Sequence, residues 1–124
     1  MRRSLAVGSL AALVSAIAVM ALNCGDDKGG NPIVAAADVT IEIVSNSGNM
    51  SYSPSVRSVS AGKTVAWHNA DNMAHTATAD DATFNTGTIA PGATSAPIRM
   101  AAADTLGYHC AFHPTMVATL QVTP

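Results

Sequence analysis

The most informative stretch of the sequence is Tyr108-His109-Cys110-Ala111-Phe112-His113-Pro114-Thr115-Met116, which lies between two predicted strands. It spaces a cysteine, a histidine and a methionine as Cys-x-x-His-x-x-Met. A strand that ends at Cys110 fixes the thiolate, and a tight turn can bring His113 and then Met116 round to the same point. Pro114 restricts the backbone angle φ and stiffens this turn. The stretch therefore predicts a metal site in which three ligands converge from one short loop.

A fourth ligand has to come from elsewhere, and His75, just after the predicted strand 64–68, is the natural choice. A thiolate, two imidazoles and a weakly bound thioether describe a trigonal blue-copper site with a long axial methionine. Such a rigid set lets the ion change oxidation state with little rearrangement. We therefore predict that His75, Cys110, His113 and Met116 hold one copper ion that cycles between Cu(I) and Cu(II).

The remaining two histidines are not predicted to be ligands. His109 adjoins Cys110 in a strand, so its side chain points to the opposite face of the sheet. His68 lies on the strand face away from Trp67. Both are expected to be structural or exposed.

The rest of the chain reads as short strands. Residues 39–43 alternate apolar and polar side chains with a period of two, the pattern of a half-buried strand. Gly, Pro, Asn and Asp turns separate the other candidates, and no helical stripe of useful length follows the first 23 residues. The pattern predicts an all-β antiparallel sandwich or barrel. Further strands are expected at residues 64–68, 76–79, 93–100, 106–110 and 117–122.

The N-terminus predicts export. Met1-Arg2-Arg3 is followed by residues 5–22 without a charge, as in a secretory signal. The alternative, a membrane-spanning helix, is less favoured because the run is rich in Ala, Ser and Gly. We expect residues 1–23 to be a signal peptide, 24–37 a flexible tether and 38–124 the folded domain. Twin-arginine and general export are both open.

Processing of this signal has two interpretations. Cys24 directly follows the apolar run and resembles the lipidated cysteine of a bacterial lipoprotein signal, which would anchor the protein to a membrane. Cleavage after Ala35-Ala36-Ala37 is the alternative. Either predicts a location in the periplasm or cell envelope. A disulfide between Cys24 and Cys110 is disfavoured because it would leave the other candidate ligands unexplained.

The net charge of the chain argues against nucleic acid as a partner. Without residues 1–23 the chain keeps four basic and eight acidic residues, a formal net charge of about −4. No basic patch remains, so nucleic acid is not expected to bind.

From Tyr52 to the C-terminus the chain resembles the small bacterial cupredoxins of the plastocyanin and amicyanin type. The short Cys-x-x-His-x-x-Met spacing is closer to amicyanin. The resemblance implies a Greek-key β-sandwich with copper bound at one end through His75, Cys110, His113 and Met116. Many relatives carry Asn directly after the first histidine ligand, where Thr76 stands here. Besides the ligand loop, the likeness is carried by Tyr52-Ser53-Pro54, Ala61-Gly62-Lys63-Thr64-Val65-Ala66-Trp67-His68-Asn69, Met73-Ala74-His75-Thr76 and Phe84-Asn85-Thr86-Gly87-Thr88-Ile89-Ala90-Pro91-Gly92.

The function expected from this site is single-electron transfer between redox protein partners by a monomer. The resemblance implies that the edge of His113 emerges through an apolar patch, flanked here by Phe112, Pro114, Met73 and Ala74. Such a patch suits brief encounters. Four protein ligands leave no open position for a substrate, so an enzyme is not expected. The alternative is a periplasmic copper carrier or buffer without redox turnover. A zinc or Cys-His enzyme is a more remote hypothesis, because zinc catalysis needs an open site.

Three aspartates lie in loops of this region. Asp71, Asp80 and Asp81 could steer a basic partner, although a solvated loop is the simpler interpretation.

Overall fold

The computed structural model describes residues 35–124. The predicted signal peptide, Cys24 and most of the predicted tether lie outside the described residues, so those assignments stay predictions. Within the described part, no helix is long and apolar enough to cross a membrane.

The described chain consists of eight strands and one short 3-10 helix. In chain order they are β1 (Val39–Ile43), the 3-10 helix (Gly48–Met50), β2 (Tyr52–Ser53), β3 (Val56–Ser60), β4 (Thr64–Asn69), β5 (Thr78–Ala79), β6 (Ile98–Arg99), β7 (Asp104–His109) and β8 (Val117–Thr123).

These strands form two four-stranded sheets, in the order β2-β1-β4-β6 and β3-β8-β7-β5. The predicted all-β sandwich is confirmed. Both sheets are mixed, however, because β1 is parallel to its partner β4 and β3 is parallel to its partner β8. The alternation of side chains along a strand shows which face is buried and carries no information about the direction of its partner. The antiparallel pairing expected from the sequence therefore holds for the other strand pairs only.

Two predicted strands are shorter than expected. Of residues 93–100 only Ile98–Arg99 form a strand, and of residues 76–79 only Thr78–Ala79 do. The backbone N–H of Ser95 still donates to the Trp67 carbonyl at 2.8 Å. Pro97 has no N–H to donate, which helps explain why regular pairing begins only after it.

Aromatic side chains fill the centre of the core. Tyr52, Trp67 and Tyr108 are buried to within 1 % of full burial, and Phe84 is 6 % exposed. Tyr52 meets the Tyr108 ring edge-on with the centroids 4.8 Å apart, and Trp67 stacks on Phe84 at 5.3 Å. Burial of each of these side chains removes a large apolar area from water. It stabilises the fold by about 1.5–3 kcal/mol, the range for a fully buried Leu or Phe side chain. This cluster joins both sheets beneath the residues considered next.

Candidate metal centre

The four predicted ligands come from two segments of the fold: the loop between β7 and β8, which also contains His113, and the segment between β4 and β5. Cys110 directly follows β7, and Met116 directly precedes β8. His75 lies between β4 and β5, where its N–H donates to the Ile89 carbonyl at 3.1 Å and its carbonyl accepts from the Ile89 N–H at 2.8 Å. This isolated bridge holds His75 although no regular strand contains it.

Three of these side chains present their donor atoms to one another. The Nδ1 atom of His75 lies 3.8 Å from Cys110 Sγ, and the Nδ1 atom of His113 lies 3.7 Å from the same sulfur. All three donor atoms lie within 4.8 Å of one another. His75 and Cys110 are fully buried, whereas His113 is half-buried.

These separations test whether a metal ion fits. Bond lengths of about 2.3 Å to sulfur and about 2.05 Å to nitrogen, at angles near 120°, place the two donors about 3.8 Å apart. Tetrahedral angles would place them about 3.6 Å apart on the same bond lengths. The observed distances suit a trigonal arrangement of one thiolate and two imidazoles, which is the donor set of a blue-copper site.

The ligand loop, residues 110–116, is closed by its own backbone. The N–H of Met116 donates to the His113 carbonyl at 2.8 Å, and the N–H of Cys110 donates to the Met116 carbonyl at 3.1 Å. The loop thus turns back on itself and brings Met116, which is fully buried, beside Cys110. The structure therefore brings together His75, Cys110 and His113 and keeps Met116 next to them; their role as ligands stays a prediction.

Thr76 joins the two ligand-bearing segments. Its N–H points at Cys110 Sγ at 3.4 Å, and its hydroxyl oxygen accepts the N–H of Ala111 at 2.8 Å. The hydroxyl thus makes the connection between the two ligand-bearing segments that the resemblance to cupredoxins implies for Asn at this position. A hydrogen bond donated to a ligand sulfur is one of the features that tune such a site.

Tyr52 supports Thr76 from below. Its hydroxyl donates to the Thr76 carbonyl at 2.5 Å, inside the buried core. Burial raises the pKa of Tyr52, and the negative charge of a Cys110 thiolate would raise it further, so the phenol stays protonated and keeps donating.

Asp71 occupies a position that sequence reasoning did not foresee. Its carboxylate lies 2.8 Å from Nε2 of His75, on the ring edge opposite the sulfur, and its side chain is only 17 % exposed. The hydrogen bond to His75 holds the pKa of the Asp71 carboxyl below its usual value, helped by the Asn72 N–H. The only signal in the sequence is an aspartate four residues before a candidate ligand, and that spacing alone predicts no contact in an irregular loop.

The other two histidines lie outside this group. His68 Nδ1 is 2.9 Å from the Thr94 hydroxyl, and His109 Nδ1 is 2.6 Å from an Asp80 carboxylate oxygen. Neither belongs to the cluster His75, Cys110 and His113, which is the group of potential metal-binding side chains found among residues 35–124. Strand geometry predicted this placement for both.

Comparisons with known proteins agree with this geometry. Residues 39–123 match the family of copper binding proteins described as the plastocyanin/azurin family. A purple cupredoxin from Nitrosopumilus maritimus is 26% identical with a TM-score of 0.62, over 69% of this chain and 100% of that one. A copper-containing nitrite reductase from Thermus scotoductus is 25% identical with a TM-score of 0.61, over 69% of this chain but only 22% of that one.

A third solved structure, a Cu(I) form of a mutant amicyanin, shares the fold at 23% identity and a TM-score of 0.59, over 72% of this chain and 87% of that one. No curated protein sequence matches. The family match spans most of the chain, and the donor set beneath it fits a single type 1 copper ion. The chain therefore belongs to the plastocyanin/azurin family of copper-binding proteins, the cupredoxins.

Proposed function

We propose that this cupredoxin is an electron carrier that passes single electrons between redox protein partners. His75, Cys110, His113 and Met116 would hold the copper ion. The observation that carries the proposal is the arrangement of the donor atoms: Nδ1 of His75 lies 3.8 Å from Cys110 Sγ, and Nδ1 of His113 lies 3.7 Å from it. A site already arranged for a trigonal ion needs little movement when the charge of that ion changes.

When bound, copper supplies the one-electron change between Cu(II) and Cu(I). The protein holds the donors still during that change. Cys110 is fixed by β7 and by the Met116 carbonyl, and its sulfur faces the Thr76 N–H. His75 is fully buried and hydrogen-bonded on both its backbone and its ring. Four protein ligands leave no position for a substrate, which supports a carrier rather than an enzyme.

His113 is the least buried of the three clustered side chains, so we propose that electrons leave through its ring. Phe112 beside it is 53% exposed, and Met73 near His75 is 45% exposed. Large exposed apolar side chains at one end of a small protein suit a small, weak interface that dissociates quickly. We therefore propose that redox partners dock at this apolar end, and that the carrier works as a monomer without binding nucleic acid.

Two measurements on the purified protein separate an electron carrier from a copper carrier or buffer. Electron self-exchange is measured by NMR line broadening in mixtures of the Cu(I) and Cu(II) forms. Copper loss is measured with a competing chelator. We expect fast self-exchange and slow copper loss. Slow self-exchange with rapid copper loss would contradict the proposal and support the copper carrier.

We further propose that the protein is exported to the periplasm or cell envelope and is anchored there by lipid on Cys24. The support is the apolar run before that residue and the flexible composition after it. Cell fractionation tests this: the wild type should be found with membranes and Cys24→Ser should not. A wild-type protein that stays soluble would contradict the lipid anchor.

A further inference from the structure

The two ring nitrogens of His75 face different groups. Nδ1 faces Cys110 Sγ, and Nε2 faces the Asp71 carboxylate at 2.8 Å. The ring is fully buried, so no solvent competes with the carboxylate for Nε2. Because a carboxylate can only accept the Nε2 hydrogen, Nδ1 is the ring nitrogen that can offer a lone pair, on the side of the sulfur.

The Asp71 carboxylate is held in this place by the loop around it. Its second oxygen accepts the Asn72 N–H at 2.8 Å, and the Asp71 N–H donates to the Asn69 side-chain oxygen at 3.0 Å. Asn69 is itself fully buried, and its amide group donates to the carbonyls of Met73 at 2.7 Å and Ile89 at 2.9 Å. The carboxylate therefore approaches His75 from a fixed direction rather than from a free loop.

The two histidines of the cluster differ in this respect. His75 has a carboxylate partner, whereas none of the ion pairs within residues 35–124 involves His113. A fixed negative charge next to one ligand favours the more positive state of a bound ion. It also orients the ring, as partners of metal-binding histidines do.

We propose that Asp71 is a positioning residue that fixes the His75 ring with Nδ1 toward the metal and lowers the reduction potential of the site by favouring Cu(II). This inference rests on the proposed function, because it assumes His75 as a ligand. It assigns Asp71 an inward role in place of steering a partner, since its carboxylate is committed to His75 and mostly shielded from solvent.

The effect of the Asp71 charge on the reduction potential is tested with Asp71→Asn. This variant keeps an oxygen that can accept a hydrogen bond from Nε2 of His75 and removes the negative charge. The matched control is Asp104→Asn, the same change at the start of β7, about 17–20 Å along the strand from Cys110. We expect Asp71→Asn to shift the ratio of Cu(II) to Cu(I) affinity about tenfold toward Cu(I), within the usual effect of such partners. For a one-electron couple this raises the potential by about 59 mV. The control should stay within about twofold, because its charge is distant and screened.

The ring position is tested in the metal-free wild-type protein by nitrogen NMR of His75. The expected result is a ring with its hydrogen on Nε2, protected from exchange with solvent. In Asp71→Ala this protection should be lost. A ring with its hydrogen on Nδ1 would overturn the positioning role, whether or not the variants fold.

The two measurements separate this inference from the proposed function. A wild-type blue-copper spectrum with equal potentials for wild type, Asp71→Asn and Asp104→Asn would overturn the role of the Asp71 charge and leave the electron carrier standing. A wild type without a blue-copper spectrum would overturn the proposed function, while the nitrogen NMR result still reports on the ring of His75.

Discussion

The ligand loop and the segment from Asn69 to Thr76 hold their metal-binding side chains by different means. In the ligand loop, backbone groups of residues 110–116 bond to one another and close a short turn. In the segment 69–76, side chains add to the backbone bridge between His75 and Ile89: the buried amide of Asn69 ties the loop to Ile89, and Asp71 holds the ring of His75. The first segment is therefore specified by local spacing, and the second depends on particular side chains and on contacts distant in the sequence.

This difference bears on where each segment is sensitive to substitution. A backbone-closed turn tolerates changes of its exposed side chains, because its hydrogen bonds do not involve them. A segment held by buried polar side chains loses several hydrogen bonds with one substitution. Thr76 joins the two segments through the Ala111 N–H, so displacement of one is transmitted to the other.

The largest expected effect concerns the histidines. His75→Ala should lower Cu(II) affinity by more than about 100-fold, since even the loss of a group that only supports a ligand costs about 10–100-fold. His68→Ala is the matched control and should change affinity by less than about threefold, because His68 bonds to Thr94 away from the cluster. Competition titration measures both affinities. Equal losses in the two variants would contradict the ligand assignment.

The next effect concerns Asn69 and its neighbour Asn72. Asn69→Ala should lower the free energy of unfolding of the metal-free protein by about 2–4 kcal/mol, because it removes three hydrogen bonds of a fully buried amide: those to the Met73 and Ile89 carbonyls and the one from the Asp71 N–H. Asn72→Ala should change it by less than about 0.5 kcal/mol, since that exposed side chain is replaced without loss of the Asn72 N–H. Urea unfolding gives both values.

If Asn69→Ala is as stable as Asn72→Ala, the segment 69–76 does not depend on its buried amide, and the contrast with the ligand loop fails.

A smaller effect is expected from the two core tyrosines. Tyr52→Phe should cost about 1–2 kcal/mol of unfolding free energy, because it leaves the buried Thr76 carbonyl unpaired. Tyr108→Phe should cost less than about 0.5 kcal/mol, because within residues 35–124 its buried hydroxyl has no hydrogen-bond partner. Thermal or urea unfolding of the metal-free protein compares them, and a reversed order would show that the Tyr52 hydroxyl does not support Thr76.

The smallest effect is expected outside both segments, at Asp38, whose carboxylate accepts hydrogen bonds from the start of β4. Hydrogen bonds from the Thr64 N–H and hydroxyl, and then from Lys63, hold the pKa of the Asp38 carboxyl below its usual value of 3.8. A lowered folded-state pKa contributes stability that is present above the unfolded value and is lost as pH falls through the folded value. Asp38→Asn should therefore lower stability slightly at pH 6 and flatten its fall below pH about 4.

Urea unfolding of the metal-free protein between pH 6 and pH 2.5 measures this change. An Asp38→Asn curve parallel to that of the wild type would contradict the role of Asp38.

The contrast between the ligand loop and the segment 69–76 also explains which features the sequence predicts. The alternation in residues 39–43 predicts β1, and Cys-x-x-His-x-x-Met spacing predicts a loop whose donors converge, because both patterns act over a few residues. The parallel pairing of β1 with β4 is not predictable in this way, since Val39 and its partner Val65 are far apart in the chain. Asp71 is missed for the same reason: its contact with His75 depends on how Asn69 and Ile89 fix an irregular loop.

The central claim, a blue-copper site built on Cys110, is tested most directly by optical and electron-spin-resonance spectra of the purified protein with one equivalent of Cu(II). Cys110→Ser is measured beside it, with Cys24→Ser as the matched control. We predict an intense blue charge-transfer band and narrow copper hyperfine splitting in the wild type and in Cys24→Ser, and the loss of both in Cys110→Ser. A pale wild-type spectrum typical of tetragonal copper, or a blue band that persists in Cys110→Ser, would contradict the claim.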